Sequence, residues 1–300
     1  MSFDYSVYYN MLEKGHELDT LEPIIINGRT SKATTGMLSK EQSSIRIGSS
    51  TAHGFTGVND LIQVPQRLSV ASTNNFDTKG STGAEKIRIE GVDENFRLIH
   101  EDVELSGNTE VVTSQTFRCV HSARVTAIGT TAGSQIGNSG IISIGTGAVV
   151  SGSVAKAYLA IRPERGISEE AAYAVPKGRT LLICDIEVNY LPFSKTAGSL
   201  ETLLWSMIHW QPIAKKGLSN YNQTTQAYEV GADEYAPYAA LGGQSTMSNR
   251  SAVLREPYIV HEGSYIALEI SDMTASGTIT AQISGYIINN ESVSDKKSNY

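Results

Sequence analysis

Short runs that alternate polar and apolar residues, each closed by a turn signal, fill the sequence from about residue 45 onward. Lys86 to Glu90 reads KIRIE, which puts Ile87 and Ile89 on one face of a strand. Gly91-Val92-Asp93-Glu94-Asn95 reads as a turn, and Arg97 to Leu105 as the returning strand with Ile99, Val103 and Leu105 inward. Ser106 to Thr109 is a second turn, and Glu110 to Thr113 and Phe117 to Ile128 are further strands. Arg67 to Ala71, Ile141 to Ile144 and Ala157 to Ile161 complete a first block. Strands at this spacing predict an all-β sandwich or barrel.

A second block opens near Ile167. Glu169 to Val175 leads into the turn Pro176-Lys177-Gly178, and then into the most apolar run of the chain, Thr180 to Leu191. Thr202 to Gln211 has the length of a helix or a strand; two Trp and the following Pro212 favour strand. Residues 212–250 read as a long irregular loop holding Tyr221, Tyr228, Tyr235 and Tyr238. Val253 to Leu254, Pro257 to Val260, Tyr265 to Ile270 and Ile279 to Ile288 are closing strands. His261 to Ser264 and Thr274 to Gly277 have the lengths of tight hairpin loops.

Residues 1–44 read as an N-terminal arm. Tyr5, Tyr8, Tyr9 and Leu12 recur at helical spacing and form one face of a short helix, ended by Gly15. That face reads either as a frayed end held by a few apolar contacts or as a dock for a neighbouring subunit. The division expected is therefore an arm over 1–44, β-sandwich blocks over 45–165 and 166–290, and a disordered polar tail over 291–300.

Composition excludes several functions. Charged residues make up 18% of the 300 residues, below the roughly 25% typical of globular chains. The net charge of −7 argues against sequence-independent binding of nucleic acid, and no Lys/Arg cluster offsets it. No apolar run reaches the roughly 18 residues of a membrane helix, and the N-terminus has no apolar core of a signal peptide, so a soluble chain without a cleavable address is expected.

Catalytic and cofactor chemistry is likewise not expected. GTTAGSQIGNSG, within residues 129–140, is Gly-rich but lacks a phosphate-binding Lys and reads as a loop. No Gly-x-Ser-x-Gly elbow occurs. Cys119 and His121 share a strand face, and with His100 would make half a zinc site; a core thiol beside an imidazole is the plainer reading. Cys119 and Cys184 both read as buried free thiols. Asp93-Glu94 and Asp233-Glu234 read as solvated acids without an opposed carboxylate. The Tyr-rich segment is the binding candidate, suited to subunit contact and to stacking on sugars.

Several stretches resemble structural proteins of tailed bacteriophages, especially marine and cyanobacterial podoviruses. They are IRIEGVDENFRLIHEDVELSGNTEVVTSQTFRCVHSARV, AAYAVPKGRTLLICDIEV, and VHEGSYIALEIS followed by ITAQISGYII. Lys177 and Arg179 depart from the usual Ala and Lys of that turn. The resemblance covers roughly residues 84–288. It implies two jelly-roll-like sandwiches in a virion protein assembled in the host cytoplasm: a capsid decoration, fibre, knob or tail component, commonly a homotrimer. Other virion proteins are the implied partners, and a host surface glycan is the alternative one. It implies no catalytic residue, no cofactor, no nucleic acid and no membrane insertion.

Overall fold

A computed structural model describes residues 21–31, 46–47, 65–129, 137–169, 171–192, 202–212, 220–222, 227–229, 235–246, 250–273 and 277–290. All regular structure among them is β, and every strand pairing is antiparallel except one two-residue parallel pair. The expected helix with Tyr5, Tyr8, Tyr9 and Leu12 lies outside the described residues, as do Asp233-Glu234 and the tail.

The first sandwich holds seven strands: β3 (Ser69–Ser72), β4 (Ala84–Val92), β5 (Leu98–Glu104), β6 (Val111–Val112), β7 (Cys119–Ile128), β8 (Ile142–Val150) and β9 (Ser153–Ile161). One sheet runs β6-β3-β8-β9 and the other β5-β4-β7. Alternation explains the layers. Ile87 and Ile89 on β4 are fully buried and meet Val70, Ile142, Ile144, Leu159 and Ile161 from the opposite sheet. Val103 and Leu105 are buried and Ile99 packs on the same core.

Gly91 belongs to the end of β4 rather than to the turn. A Cβ there would stand 2.2 Å from the Cys119 carbonyl oxygen, so only glycine lets β4 and β7 approach this closely. Asp93 makes the turn instead, its Oδ1 accepting the amides of Asn95 and Arg97 at 2.8 Å each.

One polar node holds the loops at the end of this sandwich. The Asp77 carboxylate is fully buried. Its Oδ1 accepts the amides of Ala84 (2.8 Å) and Ser139 (2.7 Å), and its Oδ2 accepts the Gly140 amide (2.8 Å) and the Ser72 hydroxyl. Buried Asn138 extends the node, donating to the carbonyls of Gly140 and Ile161 and accepting the Gly166 amide. The described part of the Gly-rich stretch, residues 137–140, is thus pinned by side-chain acceptors that compensate for the ladder bonds it lacks.

The second sandwich joins β1 (Leu21–Ser31), β10 (Ala172–Ala174), β11 (Arg179–Pro192), β12 (Thr202–Pro212), β15 (Tyr235–Thr246), β16 (Arg250–Val260), β17 (Tyr265–Met273) and β18 (Gly277–Asn289). One sheet has the order β1-β18-β11-β16, the other β10-β17-β12-β15. The short β2 (Arg46–Ile47) pairs with β17, and β13 (Asn220–Asn222) with β14 (Ala227–Glu229). Ile183, Ile186, Val188, Ile279 and Ile283 of the first sheet pack on Met207, Ile266 and Leu268 of the second.

Three expectations change here. Part of the segment read as an arm, Leu21–Ser31, is an edge strand paired along its whole length with β18; Ile26 is buried in the core and Ile24 packs against it. Residues 212–250 are not wholly irregular: Tyr235–Thr246 pairs with β12. Its sequence, YAPYAALGGQST, is rich in small residues and breaks alternation with Pro237, so periodicity could not reveal it. The turn at 261–264 is not a hairpin, because β16 lies in one sheet and β17 in the other, so the chain crosses between layers there. Residues 274–276 lie outside the described residues. The Gly263 amide donates to the Val175 carbonyl and ties that crossing to the end of β10.

The sandwiches meet through a third apolar cluster: Val92, Phe96 and Cys119 from the first, and Ala172, Ala174, Tyr265 and Ala267 from the second. Phe96 takes a left-handed φ of 59°, rare for a bulky residue, and is 8% exposed. Burial of its ring compensates for that strain, and its carbonyl accepts the Lys177 amide across the junction at 2.8 Å.

Candidate functional site

A cleft of about 610 Å³ opens where the two sandwiches meet. One wall is β1, every residue from Glu22 to Gly28 contributing; the other carries Glu90 and Leu98 from the first sandwich. Ile167 and Ser168, on the segment joining the two sandwiches, lie between them, with His121 and Tyr173 behind.

Local pairing sets each of these groups in place. The joining segment runs beside β7: Val125 N donates to Gly166 O, Ser168 N to Ala123 O, and Ala123 N to Ser168 Oγ. This holds Ile167 at the surface, 54% exposed. Leu98 sits at the start of the edge strand β5, and Ile25 points away from the core between inward Ile24 and Ile26. Of the eight large apolar side chains exposed among the described residues, these three line the cleft.

The charged lining is mostly acidic. Glu22 pairs with Arg179 at 3.1 Å across β1 and β11. Glu90 accepts from Ser122 (3.3 Å) and pairs with Arg124 (3.2 Å). Glu169 stands 3.7 Å from Arg162. Glu187 accepts from Asn189 Nδ2 at 3.0 Å, while Asn189 Oδ1 is shielded from solvent and accepts nothing among the described residues. Among those residues Glu22, Glu90, Glu169 and Glu187 face the cleft with a single lining cation, Arg179.

His121 and Tyr173 back the cleft as a stacked pair, ring centroids 4.3 Å apart. The Ala174 amide donates to His121 Nε2, a role only the neutral ring can accept. Burial lowers the imidazole pKa to about 4 and raises that of the Tyr173 phenol, so both are uncharged at neutral pH.

The residues singled out from sequence fall elsewhere. Tyr221 and Tyr228 are directly opposite one another on β13 and β14, whereas Tyr235 and Tyr238 lie on β15 opposite Pro212 and His209. Tyr5, Tyr8, Tyr9 and Leu12 are outside the described residues. Cys119 and Cys184 are free thiols, the first buried and the second half-buried; burial raises the Cys184 pKa. His121 turns to the Ala174 amide rather than to a shared metal position with Cys119, and among the described residues no three ligand-type side chains converge. The cleft itself was missed: it draws on β1, β4, β5, β7, β10, β11 and β18, and no local pattern links them. Comparison of the chain with protein-family models, with curated proteins and with solved structures finds no match to any of them.

Proposed function

We propose that this chain is a non-enzymatic structural protein of a virion, a homo-oligomer that decorates a capsid or forms part of a fibre, knob or tail. The observation that carries the reading is the winding of the second sandwich. Its strands visit the two sheets in the order β1, β10, β11, β12, β15, β16, β17, β18, crossing between layers at every step except β12 to β15. The resulting orders, β1-β18-β11-β16 over β10-β17-β12-β15, support reading this sandwich as an eight-stranded jelly roll, an architecture common in viral capsid domains. The first sandwich then stands as an insertion between the first two jelly-roll strands, β1 and β10. The phage-like turns and strands over residues 84–288 favour the same reading, and the apolar junction between the sandwiches suits a rigid building block.

Two measurements test it. Sedimentation velocity of the full chain over a wide concentration range gives a concentration-independent oligomer, expected to be a trimer; a strict monomer removes the self-assembly. Quantitative mass spectrometry of purified particles of the encoding virus finds the chain at a fixed copy number; its absence from particles removes the virion assignment.

A second reading is a glycan-binding module, since jelly rolls also serve as lectins. Tyr221 in register with Tyr228 on the two-stranded β13-β14 ribbon, which lies between β12 and β15 in chain order, is the feature that favours it. A glycan array without signal above background removes this alternative.

A further inference from the structure

We propose that His121 is an acid-released latch between the two sandwiches: its neutral ring holds the Ala174 amide at the open edge of β10, and a proton on Nε2 frees that amide and lets the junction open. The device rests on the geometry of the junction and is independent of the role proposed above.

The local pairing gives this histidine its direction. Across β4 and β7, Gly91 pairs with Val120 and Glu90 with Ser122, so His121 is the extra residue of a bulge. A bulge takes its residue out of the ladder and re-aims the side chain. Here the side chain crosses to the second sandwich, where Nε2 accepts the Ala174 amide at 3.3 Å. β10 is the edge strand of its sheet. The Ala171 carbonyl and the Val175 amide bond to Leu268 and Ser264 on the β17 side. By the two-residue period, the Ala174 amide therefore turns to the open side. Ala174 is fully buried, and His121 supplies the acceptor that a further strand would otherwise provide.

The rest of the junction is weak enough for this bond to matter. The second sandwich contributes three alanines and Tyr265 to the apolar cluster, little area to hold it shut, and Phe96 sits opposite at its strained φ of 59°. Ser168 is bonded to β7 and Ala171 to β17, so the chain passes from one unit to the other within residues 168–171, which serve as the hinge. His121 lines the cleft, which gives protons a route from solvent.

The charges around the ring decide the direction of the effect. Tyr173 of β10 stacks on it, and on its own strand the Cys119 thiol donates to the Val120 carbonyl. Arg118 lies over the Phe96 ring, 5.8 Å from its centroid. Toward the cleft, Glu90 of β4 is paired with Arg124, and Glu169 of the joining segment with Arg162. Farther out, Glu22 of β1 is paired with Arg179, and Glu187 of β11 accepts from Asn189. Among the described residues none of these carboxylates bonds His121. An imidazolium there gains only the face of Tyr173. Burial outweighs that gain and holds the ring's pKa at about 4. In an open junction the ring returns to about 6.5. The open form thus binds the proton more tightly, so the latch is complete above pH 6.5 and weakens as pH falls toward 4. From pH 7 to pH 5 these two values favour opening by about twentyfold.

Native-state hydrogen exchange of the full chain, followed by NMR and divided by the intrinsic rate at each pH, tests this. The Ala174 and Lys177 amides bond across the junction and report its opening. Opening at both should rise about twentyfold from pH 7 to pH 5, while the Ile87 amide inside the first sandwich holds its protection. His121→Gln keeps an acceptor near the Nε2 position and does not titrate, so the rise should vanish. His209→Gln, which removes a buried imidazole of the second sandwich, should leave the rise in place. Exchange at Ala174 and Lys177 that is flat with pH overturns the proposal, as does a rise that survives His121→Gln. A rise abolished by His209→Gln also overturns it, assigning the acid sensitivity to unfolding of the second sandwich. Where either variant fails to fold, a proton NMR titration of wild-type His121 decides. Protonation only below pH 5, with the Ala174 amide signal moving in step, supports the latch; a midpoint near 6.5 with that amide unmoved overturns it.

Discussion

Replacing Asp77 by alanine should unfold the first sandwich at a lower denaturant concentration while leaving the second in place. The carboxylate is fully buried and no cation faces it among the described residues; its charge is held by three amides and a hydroxyl. A hydrogen bond to a charged acceptor contributes about 1.5–3 kcal/mol, and a buried donor left unmade costs about 1–3 kcal/mol. The Ser72 hydroxyl can rotate to a new acceptor and Ser139 is only partly buried, so the Ala84 and Gly140 amides carry most of the loss. Two such losses, reduced by release of a buried charge, give about 4 kcal/mol. Asp77→Asn keeps the shape yet turns an NH2 group toward one pair of donors whichever way it lies, so it should cost about 3 kcal/mol rather than rescue the site. Both tryptophans, Trp205 and Trp210, lie on β12, so indole fluorescence follows the second sandwich while far-ultraviolet circular dichroism follows both. In urea the dichroism transition of Asp77→Ala should move ahead of the fluorescence transition. A loss below about 1 kcal/mol, or an equal shift of both signals, would refute the claim that this carboxylate organises the loops of the first sandwich alone.

Acid should destabilise the second sandwich through His209, which is fully buried with Nδ1 2.8 Å from the Tyr258 hydroxyl and a pKa lowered by burial to about 4. The unfolded chain binds that proton near pH 6.5, so the stabilisation is complete above pH 6.5 and fades as pH falls toward 4. By pH 5 it should have fallen by about 2 kcal/mol, read as the pH dependence of the fluorescence midpoint in the wild type minus that in His209→Gln; a proton NMR titration of His209 near pH 6.5 in the folded chain would contradict this. Phe96→Ala removes the ring that fills the junction, and should cost about 3 kcal/mol and speed proteolysis within residues 162–169; unchanged cleavage would show that the junction does not depend on it. Gly91→Ala forces a methyl group onto the Cys119 carbonyl and should cost about 2–3 kcal/mol, whereas Gly80→Ala, with open space but φ of +76°, should cost only about 1 kcal/mol; equal losses in thermal melts would mean that the β4–β7 approach is not tight.

The sequence was most legible where one face of a strand is buried and the other wet. Ile87 and Ile89 mark β4, Val103 and Leu105 mark the β5 strand and the turn after it, and the apolar run from Thr180 marks β11. The extent of β8 and β9 was less clear. Their hairpin turns on Ser151 and Gly152, both at positive φ, and the residues around it, GAVVSGSVA, are small and lack strict alternation. Pairing partners were not legible at all. Nothing local distinguishes a turn that returns a strand to its neighbour from one that carries it to the opposite sheet, and His261 to Ser264 is of the second kind. The cleft escaped for the same reason: Ile25 and Leu98 are unremarkable exposed residues until pairing of β1 with β18 and of β5 with β4 brings both to the lining of one cleft.

The partnership of β1 with β18 bears on how the protein is made. Residues 68–161 supply the entire core of the first sandwich, so that unit can close while the ribosome is still producing the second. Leu21 meets Ile288 only after every residue between them has been made. Until then the Ile24-Ile25-Ile26 strand lacks its β18 partner, and a chaperone or a neighbouring nascent copy has that interval in which to capture it.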